Sequence, residues 1–130
     1  MINLNELVEI AKMARENAYA PYSNYKVGCA LLTKSGKVFS GCNVENDGIM
    51  SICAERTAFV KAISEGELEF EALVVLGGKD ELVYTAPCGY CRQFISEFCS
   101  KDFPIYLYYE DGKLDKKLLE ELLPTNFNLQ

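Results

Sequence analysis

Cys53-Ala54-Glu55-Arg56 is the first of two stretches that decide how this chain folds. The second is Pro87-Cys88-Gly89-Tyr90-Cys91, whose Cys88 lies 35 residues after Cys53. A helical pattern follows each motif, so the sequence predicts that both cysteine motifs open a helix. Helix N-termini carry unpaired backbone N–H groups and partial positive charge, which favour a thiolate over a thiol. Cys88 and Cys91 are three residues apart and are neighbours on one helix face. Two such helix starts that face each other can hold a divalent metal ion.

The chain contains no histidine, and this restricts both the metal ligands and the mechanism. A zinc site must then use thiolates or carboxylates, and an imidazole base is excluded. We predict one Zn²⁺ per chain, bound by Cys53, Cys88 and Cys91, because three thiolates leave a tetrahedral position open for water. First-turn side chains can converge on a ligand beyond the helix end. Glu55 is therefore placed to take a proton from that water and pass it on.

Three thiolates give such a site negative charge, which makes bound water less acidic unless a cation offsets it. Arg56 and Arg92 are the candidates, and Arg56 is the first choice as a donor to the thiolate sulfurs. The alternative is a closed, structural zinc site in a module without enzymatic activity, with a fourth thiol as ligand. The remaining thiols lie in apolar surroundings and are predicted to be small buried hydrophobic residues; they are Cys29, Cys42 and Cys99.

Length and composition place the chain among ordinary globular proteins. Its 130 residues predict one domain, 1–130, and its net charge of −6 argues against binding a nucleic-acid backbone. No apolar run is long enough to span a membrane, and Met1-Ile2-Asn3-Leu4-Asn5 lacks the features of a signal peptide. We therefore expect a cytoplasmic protein that interacts with neither membranes nor nucleic acids, and whose cysteines bind metal or stay free.

Hydrophobic periodicity and turn residues predict an alternation of strands and helices. This order favours an α/β fold, with one mixed sheet that carries helices on both faces. The predicted helices are 4–18, 53–64, 88–98 and 114–123, and the predicted strands are 27–33, 37–45, 73–76 and 105–109.

Cys53-Ala54-Glu55-Arg56-Thr57-Ala58 and Pro87-Cys88-Gly89-Tyr90-Cys91-Arg92-Gln93 resemble the two zinc motifs of the small homotetrameric cytidine deaminases. The resemblance implies a three-layer α/β/α fold with a mixed five-stranded sheet. It also implies a homotetramer that deaminates cytidine and 2′-deoxycytidine to uridine and 2′-deoxyuridine in pyrimidine salvage. Deaminases of related compounds such as blasticidin S share the zinc motifs and are the alternative.

The segment Asn43-Val44-Glu45-Asn46 has two interpretations. On a strand, Asn43 and Glu45 share one face, which could simply be a polar face toward solvent. The resemblance implies instead that Asn43 and Glu45 bind the ribose hydroxyls, above all the 3′-OH. An amide and a carboxylate suit hydroxyls and repel a phosphate, which favours a nucleoside substrate over a nucleotide.

The resemblance implies three further roles. The backbone N–H of Ala54 would hold the base carbonyl, and Tyr25, where the family usually has Phe, would lie near the base. Phe127 would reach the site of a neighbouring subunit, although both aromatic residues could equally belong to the core. After Asn46 the family usually continues with Ala, a small residue and Tyr, whereas this chain has Asp47-Gly48-Ile49, so Ile49 stands where the Tyr is expected.

Overall fold

The computed structural model describes residues 2–48, 51–109 and 112–129. The helices in these ranges are α1 (Leu4–Glu16), α2 (Ala54–Ser64), α3 (Gly89–Phe98) and the single turn α4 (Leu119–Leu122). The strands are β1 (Lys26–Thr33), β2 (Val38–Cys42), β3 (Phe70–Gly78), β4 (Pro104–Tyr108) and β5 (Leu114–Leu118).

The five strands form one mixed sheet in the order β2-β1-β3-β4-β5. Strands β3 and β4 run parallel, and every other neighbouring pair is antiparallel. The parallel pair is connected through α3, because parallel neighbours need a crossover. The prediction of a mixed sheet is therefore confirmed.

The sheet is covered on both faces, which produces two separate apolar layers. Cys29 and Leu31 of β1 pack in the layer that contains α2 and α3. Ala30 and Leu32 point to the other face and pack in the layer of α1. A strand buried on both faces reads as a continuous apolar run, as β1 and β3 do here. The three-layer arrangement with helices on both faces is confirmed.

The predicted helix 114–123 is wrong over its first half, because residues 114–118 form strand β5. Apolar residues at 114, 118, 119 and 122 match helical spacing, but this segment pairs with the edge of β4, with Tyr106 opposite Lys116. The unpaired backbone groups of an edge strand favour such pairing over the local preference for helix. Only Leu119–Leu122 is helical, and the Glu121 side chain accepts from the backbone N of Leu118 at 2.9 Å.

Gly41 of β2 lets α2 approach the sheet closely and so positions the start of that helix. A Cβ atom at residue 41 would lie 2.3 Å from the carbonyl oxygen of Ala54 and 2.7 Å from the backbone N of Ala58. Cys29, which pairs with Gly41 across the sheet, donates its thiol to the same Ala54 oxygen at 3.1 Å. The first turn of α2 is therefore held directly against β1 and β2.

Within the described ranges, no helix is both long enough and apolar enough to cross a lipid bilayer.

Candidate active site

The two cysteine motifs meet at the same end of the molecule. Cys53 is the N-cap of α2 and Cys88 is the N-cap of α3, while Cys91 lies in the first turn of α3. The Cys53 and Cys88 sulfurs are 3.7 Å apart, and the Cys88 and Cys91 sulfurs 3.6 Å apart. All three sulfurs lie within 4.8 Å of one another. The facing helix starts predicted from the sequence are therefore present.

The spacing of the sulfurs fits a tetrahedral zinc ion. Zn–S bonds of about 2.3 Å at tetrahedral angles place neighbouring sulfurs about 3.8 Å apart. In the part of the chain that the structure describes, these three thiols are the cluster able to hold a metal, and no fourth side chain completes it. Cys29 is turned away, since its thiol donates to the Ala54 carbonyl. The donor set is that of an open, catalytic site, and one ligand position is left for water.

The surroundings of the thiols favour a negative charge on Cys53. A hydrogen bond from the Cys91 thiol, followed by one from Arg56, lowers the pKa of Cys53 to about 5. Cys91 donates the shared hydrogen bond and is buried, so its own pKa is raised. The helix N-termini beneath Cys53 and Cys88 act in the same direction as Arg56. The cluster is thus prepared to bind a cation.

Glu55 lies in the first turn of α2 and is buried, with 3% of its surface exposed. Burial, with a further contribution from the charge of Cys53, raises the pKa of Glu55 to about 7. A carboxyl group with a pKa near neutrality can both accept and release a proton at physiological pH. Glu55 lines the same pocket as Cys53 and Cys88, and it is not a member of the metal-binding cluster.

Arg56 is held beside the thiols by three contacts. Its Nη2 donates to the Ser51 carbonyl at 3.0 Å and to the Cys53 sulfur at 3.5 Å. Its guanidinium stacks over the Tyr90 ring, 4.1 Å from the ring centroid. The other candidate cation, Arg92, donates to the carbonyls of Pro87 (2.7 Å) and Leu122 (2.8 Å) and thereby joins the start of α3 to α4.

A pocket of about 300 Å³ opens beside the thiols. This volume is at the small end of the range for ligand sites and suits a compact molecule. Cys53, Cys88 and Glu55 line one part of the pocket, and Asn43 and Glu45 line another. Asn43 and Glu45 therefore face this pocket rather than only bulk solvent.

Hydrogen bonds with the chain fix the orientation of both polar side chains. Asn43 accepts from the backbone N of Val27 and donates to the carbonyl of Tyr25, both at 2.8 Å. Glu45 accepts from the backbone N of Tyr22 at 3.0 Å and from the backbone N and hydroxyl of Ser23. The Ser23 hydroxyl is the main cause of the lowered pKa of Glu45, so this carboxylate is ionised. Sequence reasoning assigned no role to Ser23.

The three positions implied only by the resemblance differ in location. Tyr25 lines the pocket, and its hydroxyl lies 2.5 Å from that of Thr85. Ala54 lines the pocket at the first position of α2, where helix N–H groups lack intrahelical partners. Phe127 lies outside this pocket and is 70% exposed, with its backbone N and O bonded to the Gln93 side chain at 3.0 and 2.7 Å.

The sequence departs from the family pattern at Asp47 and Ile49. Asp47 is exposed. Ile49 lies outside the described residues.

The three-layer fold and the open three-thiol site beside a buried carboxylate define a zinc-dependent deaminase. Residues 1–107 match the family model of the cytidine and deoxycytidylate deaminase zinc-binding region. The chain belongs to this family. The predicted family resemblance, the fold class and the zinc cofactor are thereby confirmed.

Similar proteins agree with this assignment along the whole chain. A cytidine deaminase of Sporosarcina psychrophila is 44% identical over 128 residues, which are 98% of this chain and 93% of that protein. The crystal structure of a cytidine deaminase from Burkholderia pseudomallei superposes with a TM-score of 0.89 at 44% identity, and covers 97% of this chain and 100% of the other. A blasticidin-S deaminase of Bacillus cereus is 33% identical over 129 residues, 92% of this chain and 91% of that protein.

Proposed function

We propose that this protein is a cytidine deaminase that hydrolyses cytidine and 2′-deoxycytidine to uridine and 2′-deoxyuridine in pyrimidine salvage. The observation that carries the proposal is that two different groups of side chains line the same small pocket. The thiol cluster and the buried Glu55 lie at one part of it, and Asn43 and Glu45 lie at another. The pocket thus combines groups for hydrolysis with groups for a sugar. We also place the protein in the cytoplasm, which is supported by its six unpaired cysteines.

The chemistry at the base follows from the position of Glu55. Cys53, Cys88 and Cys91 would hold the zinc ion, which would supply a water of lowered pKa as the nucleophile. Glu55 takes a proton from this water and delivers it to N3 of the pyrimidine while the water oxygen adds to C4. Glu55 then moves the remaining proton of the added oxygen to the amino group, the C4–O bond becomes the carbonyl of the product as the C4–N4 bond breaks, and ammonia leaves. The backbone N–H of Ala54 holds the base carbonyl during these steps.

The sugar end of the pocket distinguishes a nucleoside from the free base and from a nucleotide. Glu45 is an ionised acceptor held by Tyr22 and Ser23, and it suits a hydroxyl donor such as the 3′-OH. The Asn43 amide keeps one N–H and one lone pair beyond its two backbone bonds. A phosphate would bring negative charge toward Glu45.

An ultraviolet assay on a panel of substrates tests the proposal directly. We expect turnover of cytidine and 2′-deoxycytidine, and poor turnover of cytosine, of cytidine monophosphate and of blasticidin S. Cytosine lacks the sugar hydroxyls, so it would form none of the hydrogen bonds proposed for Asn43 and Glu45 and should be a poorer substrate than cytidine. Preferential turnover of the monophosphate would contradict the nucleoside assignment.

The variant Glu45→Ala tests the proposed role of Glu45 in binding the sugar. It should lower kcat/KM for cytidine strongly and leave the zinc content unchanged. Glu16→Ala removes an exposed carboxylate at the end of α1 and serves as the matched control. Full activity of the Glu45→Ala variant would show that Glu45 does not bind the substrate.

Blasticidin S is the second candidate substrate, and one observation favours it. The Bacillus cereus blasticidin-S deaminase is similar to this chain over nearly its whole length. The same panel decides between the two substrates, since a blasticidin-S deaminase would turn this compound over faster than cytidine.

We further propose that the protein is a homotetramer in which Phe127 reaches a neighbouring subunit's pocket. The ring is exposed, while Gln93 holds the backbone of Phe127 with two hydrogen bonds, so the side chain is presented outward at a defined place. Phe127→Ala should raise KM for cytidine without loss of zinc, and Leu129→Ala, at a 92% exposed residue, is the control. A fully active monomer in light scattering would refute this arrangement.

A further inference from the structure

Two hydroxyl groups meet in the wall of the substrate pocket, and the proposed mechanism uses neither of them. Tyr25 precedes β1, and Thr85 lies two residues before Pro87 of the second zinc motif. Both residues line the pocket that contains Glu55 and Glu45. The Tyr25 Oη and Thr85 Oγ1 atoms are 2.5 Å apart, a short hydrogen bond between segments distant in sequence.

The direction of this hydrogen bond follows from the groups around it. Thr85 Oγ1 also lies 3.2 Å from the Val83 carbonyl oxygen, which can only accept, so the single hydroxyl proton of Thr85 is donated there. Tyr25 must then donate its proton to Thr85, as expected for the more acidic phenol. Both hydroxyl protons are thus used in hydrogen bonds within the pocket wall. The pair therefore offers only acceptor lone pairs to a ligand.

On the other side of Tyr25 there are further hydrogen-bond acceptors, the carboxylates of Asp80 and Glu81. Tyr25 also borders a second cavity of about 490 Å³, which Lys79, Asp80, Glu81 and Val83 line with it. The two carboxylates, Asp80 and Glu81, are exposed there, so an anion beside Tyr25 would lie close to both of them. A neutral hydrogen-bond donor is favoured at this wall, and an anion is repelled.

We propose that the Tyr25–Thr85 pair accepts a hydrogen bond from the 5′-hydroxyl of the nucleoside and excludes a 5′-phosphate. The inference rests on the proposed function, which already assigns the 3′-OH to Asn43 and Glu45. A 5′-hydroxyl supplies the donor that an acceptor wall requires, whereas a phosphate supplies only charged acceptors.

The first experiment compares Tyr25→Phe with the unchanged protein on cytidine and 5′-deoxycytidine. For cytidine, kcat/KM should fall about fivefold to tenfold, mainly through KM, which is the size of one lost neutral hydrogen bond. For 5′-deoxycytidine, which lacks the donor, the change should stay below about twofold. Equal losses of kcat/KM on both substrates would show that the pair only stabilises the structure of the pocket, and this result would overturn the proposal.

The second experiment uses Thr85→Val, which removes the acceptor of the Tyr25 proton. The phenol can then turn its proton toward the ligand, so the preference for cytidine over cytidine monophosphate should shrink by about fivefold or more. Thr85→Ser keeps the hydroxyl and should restore the preference. If Thr85→Val kept the same preference for cytidine over cytidine monophosphate, the proposal that the pair offers only acceptors to the ligand would be wrong. Absence of cytidine turnover in the unchanged protein would instead refute the proposed function.

Discussion

Replacement of Glu55 by Gln is expected to remove almost all turnover of cytidine and to leave the zinc in place. Glu55 lies outside the thiol cluster, so the amide should not affect metal binding. The amide cannot carry protons from water to the base, and loss of a general acid–base group costs about 10²–10⁴-fold in rate. Burial already disfavours the charged form of Glu55, so the neutral amide should be tolerated in the fold. Steady-state kinetics and metal analysis of the same preparation measure both effects.

Glu16→Gln is the matched control for this experiment, because it makes the same chemical change at an exposed position at the end of α1. Activity of Glu55→Gln within a few-fold of the unchanged protein would exclude a proton-transfer role. Loss of zinc from the variant would indicate that Glu55 is a ligand.

The second large effect is expected at the thiols. Ala at position 53, 88 or 91 should remove both zinc and activity, because two thiols cannot complete the open three-ligand site. Cys88→Ala is the most informative of these changes, since Cys88 is the exposed member of the cluster and its removal leaves no cavity in the core. Metal content per chain and circular dichroism separate loss of the ion from loss of the fold.

Cys99→Ala provides the control, because Cys99 is half-buried at the end of α3 and lies outside the cluster. This variant should keep one zinc per chain. If Cys99, Cys42 or Cys29 proved as necessary for metal retention as Cys88, the assignment of the three ligands would be wrong.

The helix starts that carry the zinc ligands could be predicted from sequence because their determinants are local. A cysteine at the N-cap and a helical pattern after it lie within a few residues of one another, and at Cys88 a proline also precedes the cysteine. The structure places Cys53 and Cys88 at the N-caps of α2 and α3. The strands β1 and β3 were also recognised, because burial on both faces produces continuous apolar runs.

Other features depend on contacts between distant segments, which a local pattern does not contain. Strand β5 forms because the edge of β4 is available for pairing, and its own spacing of apolar residues favours a helix. The contact between Tyr25 and Thr85 joins residues 60 positions apart. The role of Ser23 likewise depends on a distant partner. The partner it holds, Glu45, is 22 residues away.

The close packing of α2 against Gly41 and Cys29 has an evolutionary consequence. Substitutions beneath the first turn of α2 would displace the groups that perform hydrolysis, so that part of the molecule can change little without loss of the reaction. The segments that hold Tyr25 and Glu45 lie at the rim and are partly exposed. New substrates can therefore arise by changes at the rim while the reaction itself is inherited. Relatives that act on cytidine and on blasticidin S can share one fold for this reason.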